Sequence, residues 1–196
     1  MLIPTTHSTT ATFLTLQRTC TAQTSIATPL GSVLLARTPN GLAGVWFEGQ
    51  KHHPGILGAQ QAPDDGLLAE AATQLHAYFA GTLVRFDLPL DLQGTSFQRS
   101  VWCALQTIAP GHTSTYGAIA VALGNSGAVR AVGGEIGRNP VSVIVPCHRV
   151  ICRDGTLTGY AGGVNRKRAL LTLEGVGVGS TPAGAQAALR FADTSA

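Results

Sequence analysis

The densest chemistry lies in Asn139-Pro140-Val141-Ser142-Val143-Ile144-Val145-Pro146-Cys147-His148-Arg149-Val150, where a strand-like apolar run ends in a proline. A thiol, an imidazole and a guanidinium then follow in succession. The thiolate is the reactive form of cysteine, and His148 and Arg149 are neighbours able to lower its pKa. Pro146 holds Val145 extended and fixes the chain just before Cys147. Adjacent strand residues face opposite ways, so Cys147 and His148 can meet only if the backbone bends there. A basic imidazole also needs a third group to orient it, most naturally a carboxylate. The acids of residues 97–175 are Glu135, Asp154 and Glu174, and nothing in their spacing chooses among them. Metal binding is the other use of such residues. Cys147, His148 and Cys152 lack a second ligand pair and no Cys-x-x-Cys occurs, so no metal site is expected. Cys103 is expected to be packed within a helix, and Cys20 to lie in a loose terminus.

The elements that must position this segment change character halfway along the chain. Residues 24–28, 32–37 and 42–47 read as strands, linked by Pro29-Leu30-Gly31 and by the hairpin signal Pro39-Asn40-Gly41. Residues 50–63 read as a polar loop. Asp64 or Asp65 caps a helix with the stripe Leu68, Ala72, Leu75 and Phe79, ending near Gly81, and residues 84–90 read as a further strand. From Thr95 the pattern is helical. Thr95 and Gln98 form a capping box, Phe97, Val101, Leu105 and Ile108 form one face, and Pro110-Gly111 ends that helix. Short helices at 116–123 and 128–137, joined by Gly124-Asn125-Ser126-Gly127, match a helix-turn-helix. Asn165 is expected to start a last helix over 166–174, closed by Gly175. The fold class is α/β of the α+β kind. A small sheet-plus-helix domain (21–93) precedes a mostly helical domain with a helix-turn-helix (94–176). A disordered tail (1–20) and a flexible tail (177–196) flank them.

The 196 residues are 44% hydrophobic and only 12% charged, which excludes a wholly disordered chain and allows a substantial core. No apolar run approaches the ~18 residues of a membrane-spanning helix. The net charge of +3 is unevenly placed: residues 1–96 carry four bases against six acids, residues 97–175 eight against three. An anionic partner therefore suits the second half. Four scattered cysteines fit a reducing compartment better than a disulfide scaffold. The Thr-rich start lacks the features of a secretory signal, so a cytoplasmic protein is expected.

With these motifs in order, the chain resembles the O6-alkylguanine-DNA alkyltransferase family. The likeness rests on Pro146–Val150 preceded by Asn139-Pro140, on Ala128-Val129-Arg130-Ala131-Val132-Gly133 upstream, and on Gly159-Tyr160-Ala161-Gly162-Gly163 with Leu170-Leu171-x-x-Glu174-Gly175 downstream. Pro29-Leu30-Gly31, Ala77-Tyr78-Phe79-Ala80-Gly81 and Phe97-x-x-x-Val101-Trp102 extend it over most of the chain. The stretch from Tyr160 to Lys167 is similar to the bacterial, constitutively expressed branch. The resemblance implies single-turnover transfer of an alkyl group from O6-alkylguanine in duplex DNA, and less so from O4-alkylthymine, to Cys147. His148 would act through a water as base, Glu174 would orient it, Asn139 would brace the turn, and Tyr116 would protonate the departing guanine. Arg130 would fill the place of the flipped nucleotide, and the helix carrying Ala128, Ala131, Gly133 and Gly134 would lie in the minor groove. Arg138 and Arg149 would meet phosphates, while Val150, Tyr160, Ala161, Gly162 and Gly163 would line the base pocket. The implied partner is double-stranded alkylated DNA, bound by a monomer with no cofactor, no metal and no membrane.

Two departures carry consequences. Glu135 stands in the helix expected to face DNA, where an acid repels phosphate unless it points elsewhere. Ala161 occupies a position that is serine in some relatives, where backbone amides can serve. Two rival readings use the same residues: a multi-turnover cysteine hydrolase, and a non-catalytic DNA-lesion binder or regulator. The second conflicts with the presence of Cys147, since alkyltransferase-like lesion binders lack the acceptor cysteine.

Overall fold

The computed structural model describes residues 14–177. Strands β1 (Ala22–Thr28), β2 (Gly31–Thr38) and β3 (Gly41–Phe47) form an antiparallel meander. The short β4 (Gln60–Gln61), inside the expected loop, adds parallel to β1 and gives the order β3-β2-β1-β4. Both hairpins close by one device: the hydroxyl of the last strand residue accepts the amide two residues on. Thr28 takes Leu30 N–H at 3.2 Å and Thr38 takes Asn40 N–H at 3.1 Å. Strand β3 is buried along its whole length, which explains an unbroken apolar run where a one-sided strand would alternate.

One face of the sheet is covered by α1 (Gly66–Phe79), whose cap is Asp65, its carboxylate accepting from Leu67 and Leu68 N–H at 3.1 Å each. The core under this helix continues without interruption into the second half. Phe47 of the sheet, Leu75 of α1, Trp102 of α2 (Ser96–Gln106) and Leu170 of α5 (Val164–Leu173) share one buried cluster. Helix α2 begins with the reciprocal Thr95–Gln98 capping box. After it, β5 (Ser114–Thr115) pairs in parallel with β6 (Val150–Ile151), and this pairing brings α3 (Tyr116–Ala122) beside the cysteine segment. A turn and a 3-10 segment, Ser126–Ala128, lead into α4 (Val129–Gly137). Among the described residues no helix is long and apolar enough to cross a membrane.

Several sequence expectations change. The opposite sheet face carries Ala36, Ala43 and Trp46, and chain from the expected N-terminal tail covers them: residues 14–19 are helical, Leu16 is fully buried and Cys20 is buried. Ordered structure therefore reaches back to residue 14; the remainder of both expected tails, 1–13 and 178–196, lies outside the described residues. Residues 84–90 form no strand, only a bridge from Leu90 to Leu42. Pro89 has no N–H for a ladder, although its carbonyl accepts from Leu42 N–H at 2.8 Å. Cys103 is exposed, because α2 buries Gln98, Val101, Trp102 and Leu105 instead. Helix α5 starts at Val164 behind Gly163, whose φ of 90° suits glycine, so Asn165 is not its cap.

Gly44 and Trp46 point to the same face of β3, and the indole lies directly over the glycine. A Cβ at residue 44 would come within 1.8 Å of that ring. Gly44→Ala is expected to lower stability by about 1–3 kcal/mol through overpacking, read as a reduced urea midpoint at unchanged slope.

Candidate active site

The cysteine segment is not a strand. Strand β3 grips its start, with Val45 N–H on Pro140 O and Ser142 N–H on Val45 O, both at 2.9 Å. The chain then makes two successive γ-turns. In the first, Ile144 N–H reaches Ser142 O at 2.9 Å around Val143, whose φ is 73°. That is a costly conformation for a β-branched residue, on the order of 1–3 kcal/mol. In the second, Cys147 N–H reaches Val145 O at 2.8 Å around Pro146. Cys147–Arg149 then form a single 3-10 turn. The bend that the Cys-His pair requires is therefore built from two tight turns, the second centred on Pro146, which offers no competing N–H.

Asn139 takes the place of the missing ladder. Its Nδ2 donates to Val145 O at 2.8 Å and to Cys147 Sγ at 3.1 Å, while its Oδ1 accepts from Val141 N–H at 3.0 Å. Cys147 is buried at 5% exposure, and burial pushes its thiol pKa up. The Asn139 hydrogen bond and the nearby Lys167 charge pull it down by less. The resting group is thus a thiol; of the two expected neighbours, His148 helps lower its pKa only through a backbone hydrogen bond, and Arg149 is engaged elsewhere.

Arg149 has another task. Its Nε and Nη2 form a two-pronged pair with Glu174 at 2.8 Å each, and Nη1 donates to Ile108 O. It is buried, so it cannot serve as the expected phosphate contact. The same carboxylate meets His148 Nε2 at 3.0 Å and accepts from the Tyr78 hydroxyl at 2.8 Å. Burial favours the neutral carboxyl, but the hydrogen bonds from His148 and Arg149 prevail and hold Glu174 at about 2. His148 is fully buried, and burial lowers its pKa despite Glu174. It is therefore neutral at pH 7. An Nε2–H given to Glu174 leaves Nδ1 as the lone-pair nitrogen, and Nδ1 has no protein hydrogen-bond partner among the described residues. Glu135 and Asp154 lie elsewhere: Glu135 pairs with Arg138 and accepts from Gln98, and Asp154 caps its own turn at Thr156.

Around this centre stand the other sequence candidates. Tyr116 OH donates to Thr158 O at 3.2 Å, and burial raises its pKa, so it remains a proton carrier at neutral pH. A Cβ at Gly159 would come within 3.0 Å of that hydroxyl. Val150 and Tyr160 are buried, Ala161 half-buried, Gly162 buried and Gly163 exposed. Lys167, fully buried, donates to Val150 O at 2.6 Å and to Thr158 O at 2.8 Å, tying β6 to the loop after it. On α4, Val132 and Ile136 point inward while Arg130 and Ala131 are exposed; Gly133 and Gly134, and the flanking Ala128 and Arg138, are half-buried. Glu135 turns toward α2, so its charge is directed away from the exposed face of α4. Gly133, Gly134 and Arg138 face Gly159–Ala161 across a cleft of about 210 Å³.

This arrangement has known counterparts. Residues 22–92 match the family model of the 6-O-methylguanine DNA methyltransferase ribonuclease-like domain, and residues 96–176 match that of its DNA-binding domain. The chain belongs to the 6-O-methylguanine DNA methyltransferase family. The methylated-DNA–protein-cysteine methyltransferase of Mycobacterium tuberculosis is 50% identical over 150 residues, spanning 76% of this chain and 90% of the relative. That of Methanosarcina acetivorans is 48% identical over 153 residues, or 75% and 94% of the two chains. The crystal structure of Mycobacterium tuberculosis OGT in complex with DNA matches with a TM-score of 0.74 at 48% identity, covering 79% of this chain and 93% of that one.

In this family member, two residues at the site escaped the sequence reading of roles. Lys167 had a signal: it shares one helical face with Leu170 and Leu171 of α5, where a lysine must find buried acceptors. Tyr78 had none, since it lies outside the stripe read for that helix and its partner is 96 residues away. Removing the shared carboxylate by Glu174→Ala leaves Arg149 buried and unpaired, and should cost about 3–5 kcal/mol in urea unfolding at pH 7. Because the folded pKa of Glu174 is depressed from 4.5 to about 2, its stabilisation is complete above pH 4.5 and is withdrawn as pH falls toward 2. The deficit of the variant should therefore shrink through that window.

Proposed function

We propose that the protein repairs DNA by moving an alkyl group from O6 of guanine in a duplex, and less readily from O4 of thymine, onto its own Cys147, once per molecule. The observation that carries this reading is a neutral imidazole, held by Glu174 with an uncommitted Nδ1, in a turn that also buries a thiol. A protein using such a thiol is placed in the reducing cytoplasm, where it acts as a monomer.

The alkylated oxygen is unreachable inside a stacked duplex, so the nucleotide must leave the helix, at a cost of a few kcal/mol. Arg130, exposed on α4 and without an ion pair among the described residues, fills the gap. The small residues of α4 allow close approach to a narrow groove with little base readout. His148 Nδ1 takes the thiol proton through a water. The Asn139 amide and the Lys167 ammonium stabilise the thiolate as it forms. The sulfur attacks the alkyl carbon, the carbon–oxygen bond breaks, and its electron pair passes to the guanine, which Tyr116 protonates. The proton on His148 returns to the tyrosine through solvent, so one thiol proton ends on guanine. A thioether is not a leaving group under mild conditions, which makes the reaction stoichiometric and free of cofactors.

Incubation with a duplex carrying a labelled O6-methylguanine, followed by peptide mapping, tests this directly. One label per protein on Cys147 is expected; label remaining on DNA, label on Cys103 or Cys152, or continued turnover would each overturn the reading. Arg130→Ala should slow transfer from duplex much more than transfer from the free base O6-benzylguanine. Equal losses on the two substrates would remove Arg130 from the flipping step.

A further inference from the structure

The cleft beside α4 has a third wall, contributed by the N-terminal half. Besides glycines of α4 and the Tyr160 loop, it is lined by Lys51, His52 and Arg138. The segment holding Lys51 is pinned in place, since its N–H donates to Ala161 O at 3.0 Å. His52, which also lines the cleft, follows in a left-handed conformation with φ 59°. The Lys51 side chain is exposed and forms no ion pair among the described residues. Facing it, Arg138 is half-buried and holds Glu135 at 3.1 Å. After burial, Arg138 and Lys51 are the influences that push His52 toward its neutral form, opposed only by Glu135. Basic groups from both halves therefore crowd one opening whose remaining walls are the glycines of α4 and the Gly159–Ala161 loop. Such an opening accommodates an anion carried on a chain that must pass close to the protein.

We propose that Lys51, opposite Arg138, binds a backbone phosphate of the strand whose nucleotide enters the cleft. This rests on the duplex-DNA reading above and extends it: the N-terminal half becomes part of the DNA interface. A phosphate held at the cleft mouth fixes the flipped nucleotide from its sugar–phosphate side, while the Tyr160 loop meets its base. A free base has no phosphate and makes no use of this contact.

Lys51→Ala, Lys51→Arg and wild type can be compared on methylated duplex and on O6-benzylguanine from about 50 to about 200 mM salt. For Lys51→Ala, duplex affinity should fall about threefold to tenfold at low salt, with the log–log salt slope reduced by about one. The loss on O6-benzylguanine should be smaller, and Lys51→Arg should recover most of the duplex rate. An unchanged salt slope, or equal losses on both substrates, overturns the phosphate contact while leaving the repair reading intact. Wild-type protein inert toward methylated duplex overturns both.

Discussion

One buried carboxylate holds the site together. Glu174 accepts from a guanidinium, an imidazole and a phenol at 2.8–3.0 Å, and its side chain is almost wholly withdrawn from water. A carboxylate so placed needs a compensating cation. The two-pronged Arg149 supplies it, and this has a chemical consequence for His148. With the negative charge already matched, the imidazole need not protonate to stabilise Glu174, and burial keeps it neutral. Glu174 can therefore orient a base without turning it into an acid. Arg149, expected from sequence to face DNA, is what makes this division possible.

The two halves of the chain are joined around that centre as well as through the common core. Tyr78 reaches Glu174 from α1, and β3 holds the start of the cysteine segment. In return, Arg166 of α5 donates to Leu30 O at 2.9 Å and lies 4.7 Å from the centre of the Phe47 ring. The hairpin turn at Pro29-Leu30-Gly31 is thus an anchoring point for the helix that ends at Glu174. Gly31 suits it twice, with a φ of 109° and an Arg166 nitrogen 3.1 Å from where a Cβ would lie.

What could be read from sequence follows the range of the interactions involved. The Thr95–Gln98 box and the Asp65 cap depend on residues three apart or closer, and both hairpins on short turns, so they were legible. The helices of the second half were legible in outline, because glycines and prolines punctuate them. The apolar run before Cys147 is not the strand that its pattern suggests. Its composition is that of a strand, but Asn139 and two γ-turns, rather than a ladder, satisfy its backbone. The choice of Glu174 over Glu135 and Asp154 rested on resemblance alone. The contact that places Glu174 beside His148 spans 26 residues, a separation on which local pattern is silent. Cover of the outer sheet face by residues 14–20 was invisible for the same reason.

The state of the thiol suits a protein that uses it once. An exposed, low-pKa thiolate reacts with oxidants and stray electrophiles, and each such event would end the useful life of the molecule. Burial raises the Cys147 pKa and keeps the sulfur protonated, while the Asn139 amide already points at it and Lys167 stands near. The groups that stabilise the thiolate are thus in position before it exists and need no rearrangement when the proton leaves. What the resting protein lacks is the electrophile, which arrives only with an alkylated base in the cleft. Reactivity is thereby tied to substrate entry.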